Sequence, residues 1–208
     1  MGSNPIRVTK KKNIMAVTKR VFEVCKNYFQ DSTKKIAELG SQYVMEGDWG
    51  SYGPPYFKEV FSNLDITSFD YVPEGGSRFL NLSEPLPNIY KGQFDLVTNF
   101  GTTEHVKDQY TCWKNIFDMI KPGGIIISEI PKKNNWPGHC KYYFDISTFY
   151  SMNLDFEILE LKNIFYEGQG DLIYSVMRRI HSDEFKTLKE DLEKNIQIID
   201  SYEDPQGY

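Results

Sequence analysis

Short apolar runs alternate with segments of helical period along most of this chain, and glycine or proline stands at many of the changes. From Ile14 to Phe29 the apolar positions Val17, Val21, Val24, Cys25 and Tyr28 follow the spacing of an amphipathic helix. Asp31-Ser32-Thr33 breaks it, and Lys35–Leu39 predicts a short strand ended by Gly40. A loop with Gly47, Gly50 and Gly53 follows. Pro54-Pro55 then suits a helix start, so a short helix is expected over Pro55–Asn63. Asp65–Val72 and Arg78–Leu82 read as strands on either side of Gly75-Gly76, and Phe94–Asn99 as a fourth. Val106–Ile120 predicts a helix, with Tyr110, Cys112, Trp113, Ile116, Phe117 and Ile120 mostly on one face. Lys121-Pro122-Gly123-Gly124 is expected to stop it. Ile125–Ile130 has the apolar character of a buried parallel strand. Ser147–Met152 reads as helix. Phe156–Phe165 and Leu172–Ile180 read as an antiparallel closing pair joined through Gly168 and Gly170, and Phe185–Ile199 as a charged terminal helix.

Strands that alternate with helices predict an α/β architecture around a mostly parallel sheet. The length of 208 residues suits one domain. The expected organisation is a basic, polar tail over residues 1–13, a single domain over 14–200 and a terminal tail over 201–208. The Lys10-Lys11-Lys12 cluster reads as solvated tail. A net charge of −5 offers no long-range attraction to phosphate backbones, which argues against a nucleic-acid substrate. No apolar run is long enough to span a bilayer, and Met1–Asn13 lacks the apolar core of a signal peptide. The 3 cysteines, Cys25, Cys112 and Cys140, are odd in number and widely spaced. No Cys-x-x-Cys pair exists, so neither a disulfide framework nor a zinc or other metal site is expected, and the setting reads as cytoplasmic.

The most informative stretch runs from Gln93 as QFDLVTNFGTTEHVKDQYTCWKNIFDMIKPGGIIISEIP. It is a strand–helix–strand unit whose first loop carries an acid and an imidazole, Glu104 and His105. Together with Ile36-Ala37-Glu38-Leu39-Gly40-Ser41 it resembles a class I S-adenosylmethionine (SAM)-dependent methyltransferase of the small-molecule type, over roughly Lys35–Ile180. The resemblance implies a single doubly wound, seven-stranded, mostly parallel sheet whose last strand is antiparallel. It also implies SAM as cofactor, S-adenosylhomocysteine as product and a small-molecule acceptor.

In an open α/β sheet, ligands bind outside the carboxyl ends of the strands, where strand order reverses. After the first strand stand Glu38, Gly40, Ser41 and Gln42. Gly40 allows close backbone approach, and the resemblance implies that backbone N–H groups here hold the methionine carboxylate. The family pattern E-x-G-x-G-x-G is kept at Glu38-Leu39-Gly40 but has Gln42 and Val44 at its next two glycines. After the second strand come Asp70 and Tyr71. A carboxylate there suits both ribose hydroxyls, by the logic of dinucleotide sites, or else forms a turn. After the third strand, Asn81 and Leu82 are implied to meet adenine, Asn81 being an acceptor as well as a polar strand end. After the fourth stand Asn99, Phe100 and Gly101, then Glu104, placed to cap the next helix, and His105, a candidate base or a loop-shaping hydrogen-bonder. The long segment Pro131–Asp145 mixes cations, aromatics and His139, the second candidate base.

Two rivals remain in view. A nicotinamide-dependent dehydrogenase needs G-x-G-x-x-G after the first strand, and Gly40-Ser41-Gln42 fails that pattern. A methyltransferase fold that has lost catalysis and serves as a binding or regulatory protein is suggested by the altered glycine motif.

Overall fold

The computed structural model describes residues 25, 27, 28, 35–42, 44, 57–167 and 170–203. The basic tail, Gly47, Gly50, Gly53, Pro54, Pro55 and Gly168 lie outside the described residues. So does most of the helix expected over Ile14–Phe29, although Cys25, Asn27 and Tyr28 are helical.

Seven strands form one sheet: β1 (Lys35–Leu39), β2 (Asp65–Asp70), β3 (Arg78–Phe79), β4 (Phe94–Phe100), β5 (Ile120–Pro131), β7 (Phe156–Tyr166) and β8 (Gly170–Arg179), in the order β3-β2-β1-β4-β5-β8-β7. Neighbours from β3 through β5 are parallel, and β8 runs antiparallel to both β5 and β7. This is the seven-stranded sheet with an antiparallel last strand that the resemblance implied. The chain leaves β1 toward β2 and β3, then returns to the other side of β1 as β4. Strand order therefore reverses between β1 and β4, and the loops after these two strands lie side by side.

Both faces of the sheet are covered. Along each central strand, adjacent residues enter opposite cores, as the two-residue side-chain period demands. Ala37, Val97, Ile126, Ile173 and Met177 join one core, which contains Trp113, Ile116 and Phe117 of the helix α2 (Gln109–Met119). Ile36, Leu96, Ile127, Tyr174 and Val176 join the other, with Cys25 and with Phe57 of α1 (Phe57–Val60). All three cysteines are buried free thiols. Among the described residues, no helix is long and apolar enough to cross a membrane.

Helix α2 starts later than its periodicity suggests, because the Asp108 side chain accepts the Thr111 N–H at 2.9 Å and caps it there. Its end is closed by Arg179, whose guanidinium donates to the carbonyls of Phe117 at 3.0 Å and Ile120 at 2.6 Å. Lys121–Gly124, expected to stop the helix, follows its end at Met119 and already lies within β5. A Cβ on Gly124 would come 2.9 Å from the Asp95 carbonyl, so glycine lets the strand lie close to β4.

The charged segment Phe185–Ile199 is not one helix. It forms α4 (Lys189–Glu193) and then β9 (Ile196–Ile198), which pairs antiparallel with β6 (Tyr142–Phe144) in a second sheet. Helix α3 (Ile146–Tyr150) is capped by Asp145. The third strand stops at Phe79, since Asn81 turns the chain by accepting the Ser83 N–H at 3.0 Å.

Candidate functional site

At the end of β1 the chain turns at Gly40, whose φ is +75°. A Cβ there would sit 2.5 Å from both Gln42 Nε2 and Thr102 Oγ1. Glycine is required on both counts. Thr102, on the loop after β4, donates to the Leu39 carbonyl at 2.8 Å and accepts from Gln42 Nε2 at 3.4 Å. Gln42, the residue at the family's second glycine, is thus turned inward and ties the β1 loop to the β4 loop. Thr102 was missed in the sequence because its role depends on a neighbour far along the chain.

The backbone donors of this turn are engaged by the protein itself. Gly40 N–H donates to the Phe69 carbonyl at 2.7 Å, Ser41 N–H to Asp70 Oδ2 at 2.7 Å and Gln42 N–H to Glu38 Oε1 at 3.2 Å. Glu38 is fully buried, and its other oxygen accepts from the Ser68 hydroxyl. Burial pushes its carboxyl up to about 8, against the pull of the Ser68 and Gln42 hydrogen bonds and of Lys58. Asp70 also accepts the Val72 N–H at 2.9 Å. Next to it, Tyr71 is 38% exposed and lies with its ring 5.7 Å from that of the exposed Phe79.

Several expected site residues serve the fold. Asn99 is buried, donates to Thr103 Oγ1 at 3.0 Å and accepts the Thr103 N–H at 3.2 Å. Phe100 points into the core beside Phe57, at 6.2 Å. Leu82 is buried, and its carbonyl accepts from Asn115 at 3.0 Å. Gly101, at φ +79°, donates its N–H to the Glu129 carbonyl at 3.1 Å and sends the chain into the polar loop.

That loop gathers the candidate chemistry. Thr103–His105 form a 3-10 turn, held by Gln109 Nε2 donating to the Thr103 and Val106 carbonyls at 2.7 and 2.6 Å. Glu104 does not cap α2, as expected from sequence, because Asp108 holds that place. The Glu104 side chain is instead wholly buried, with neither carboxylate oxygen in a hydrogen bond among the described residues. Its Oε1 lies 3.6 Å from His139 Nε2. The His105 ring stands edge-on to that of His139 at 5.4 Å. Both candidate bases thus meet at one acid, with ligand-capable atoms of Glu104, His105 and His139 all within 4.8 Å of one another.

His139 is carried by the segment after β5, held in a strained path with Asn134 at φ +64° and Trp136 at φ +53°. The Tyr143 hydroxyl bridges it, donating to the Trp136 carbonyl at 2.7 Å and accepting the His139 N–H at 3.2 Å. Tyr202 donates to the His139 carbonyl at 2.6 Å. Trp136 flanks the imidazole at 5.6 Å and meets Tyr166 at 5.9 Å.

Residues 80–128, from just after β3 through β4 and α2 into β5, match the family described as a methyltransferase domain. No curated protein matches the chain. Among solved structures, the chain is similar to Burkholderia thailandensis 1,6-didemethyltoxoflavin-N1-methyltransferase, solved with 1,6-didemethyltoxoflavin and S-adenosylhomocysteine. The two are 13% identical over 72% of each chain, with a TM-score of 0.51. A SAM-dependent methyltransferase from Methanosarcina mazei aligns at 12% identity over 76% of this chain and 97% of its own, with a TM-score of 0.52. The cyclase SpnF aligns at 12% identity, 77% and 80% coverage and a TM-score of 0.54. The fold is that of the class I methyltransferases, in accord with the resemblance read from the sequence.

Proposed function

We propose, taking the class I methyltransferase fold as premise, that this chain transfers a methyl group from SAM to a hydroxyl of a small molecule, a sugar or related metabolite. What carries the reading is the convergence of Glu104, His105 and His139 just beyond Thr102, beside the turn where strand order reverses. Bound SAM supplies a methyl group already activated on a sulfonium, so the protein's part is to position the acceptor and remove its proton.

The residues at the end of β2 fit the adenosine half of SAM. Asp70 and the exposed Tyr71–Phe79 pair offer a carboxylate and aromatic faces at the sheet edge. The methionine half meets a turn whose amides are already engaged. One rearrangement resolves this: when Asp70 turns to the ribose hydroxyls, it releases the Ser41 N–H for the methionine carboxylate. Asn81, in the turn after β3, is assigned to the adenine side, and Gly101 to the start of the β4 loop beside the ligand. At the acceptor end, His105 or His139 accepts the hydroxyl proton, and Glu104 stabilises the resulting imidazolium.

Calorimetric titration with SAM and with S-adenosylhomocysteine tests this reading, and micromolar binding to either supports it. A second reading, a non-catalytic binding or regulatory protein on the same fold, is favoured by Gln42 filling the turn and by the engaged amides. Folded protein that binds neither compound would sink the enzyme reading and leave the second.

A further inference from the structure

We propose that Glu104, His105 and His139 bind one divalent transition-metal ion, in place of the sequence expectation of no metal. The first ground is the state of Glu104. A wholly buried carboxylate with no hydrogen-bond donor on either oxygen needs a compensating charge or proton. His139 Nε2 faces it, likewise without a hydrogen bond among the described residues.

The second ground is distance. At 3.6 Å, the separation of Glu104 Oε1 and His139 Nε2 is too long for a hydrogen bond. Two ligands of one tetrahedral zinc ion, each bound at about 2.1 Å, lie about 3.4 Å apart. The observed gap therefore fits an ion between the groups better than a direct contact. His105 has its ligand atom within 4.8 Å of both, so a small side-chain rotation closes the triad.

The third ground is support. The His139 backbone is pinned by Tyr143 and Tyr202, and the Glu104 turn by Gln109. Ligand-bearing residues of metal sites are held by outer contacts of this kind. The donor set selects the ion: two imidazoles with one carboxylate suit zinc, iron, manganese or nickel, whereas magnesium and calcium favour oxygen-only sites. Three protein ligands leave coordination positions open. If the methyltransferase reading holds, on which this clause alone rests, an acceptor oxygen takes one of them and the ion lowers that oxygen's hold on its proton, the histidines then acting as ligands and their role as base belonging to the ion-free protein.

The test uses the full chain without an affinity tag, stripped with chelator and titrated with Co²⁺, then with Zn²⁺ in competition. No SAM is added, so the outcome is independent of the enzyme reading. One equivalent of Co²⁺ should bind, with the visible bands of a nitrogen- and oxygen-ligated ion, and be displaced by Zn²⁺. Glu104→Gln keeps the shape of the side chain and should weaken binding about 100-fold or more, as should His139→Ala. Folded protein that binds no Co²⁺ would overturn the proposal. So would binding that both variants leave unchanged, or a spectrum with thiolate charge-transfer bands.

Discussion

Asp70, at the end of β2, accepts the backbone N–H of Ser41, in the turn after β1, at 2.7 Å. A carboxylate and an amide that would each serve a different end of SAM thus satisfy one another. Under the proposed function, exchange of this contact for ligand contacts would couple the two halves of the site. Asp70→Ala should weaken SAM binding by about 1–3 kcal/mol, the scale of hydrogen bonds lost from a charged group. Titration calorimetry reads it, and unchanged affinity would show that the ribose site lies elsewhere.

Gly40→Ala tests the close approach of the two loops. An L-residue at φ +75° is strained, and its Cβ would collide with Gln42 and Thr102 at 2.5 Å. A loss of at least about 2 kcal/mol is expected in a denaturant titration. A neutral substitution would mean that the loops part easily.

Glu38 gives a pH signature. Its folded pKa of about 8 lies above its ordinary 4.5, so the folded protein holds a proton that the unfolded chain releases between those values. Its contribution is fully present below about 4.5 and is lost as pH rises through about 8. Thermal melts should show stability falling across that window, with a shallower fall in Glu38→Gln. Equal slopes in the two proteins would remove Glu38 as the cause.

Arg179 closes the end of α2 and lies 3.9 Å above the Phe117 ring. Arg179→Met keeps bulk but leaves buried carbonyls unpaired, and should cost about 2–4 kcal/mol in a denaturant titration. Lysine should recover only part of this, since it lacks the forked donor geometry.

His105→Ala and His139→Ala should lower turnover far more than SAM affinity once an acceptor is in hand, because both imidazoles gather at Glu104 rather than at the β1 turn. Turnover that survives both substitutions would rule out either histidine as the base.

The central strands and the kind of sheet were legible in the pattern of residues. Runs such as KIAEL and FDLVTNF bury both of their faces, and such runs belong inside a parallel sheet wherever they sit along the chain. Glycine marked the turn at Gly40, because a positive φ is a local demand. Long-range pairing and packing set the rest. Periodicity could not divide Phe185–Ile199 into helix and strand, because β9 exists only through its pairing with the distant β6. Nor could it tell that Asn99 and Phe100 serve the fold, that Gln42 reaches across to Thr102, or that Glu104 turns from the helix it precedes toward His139. Apart from the local bond between Asn99 and Thr103, each of these contacts joins residues far apart in the chain, and local patterns do not say which distant residues become neighbours.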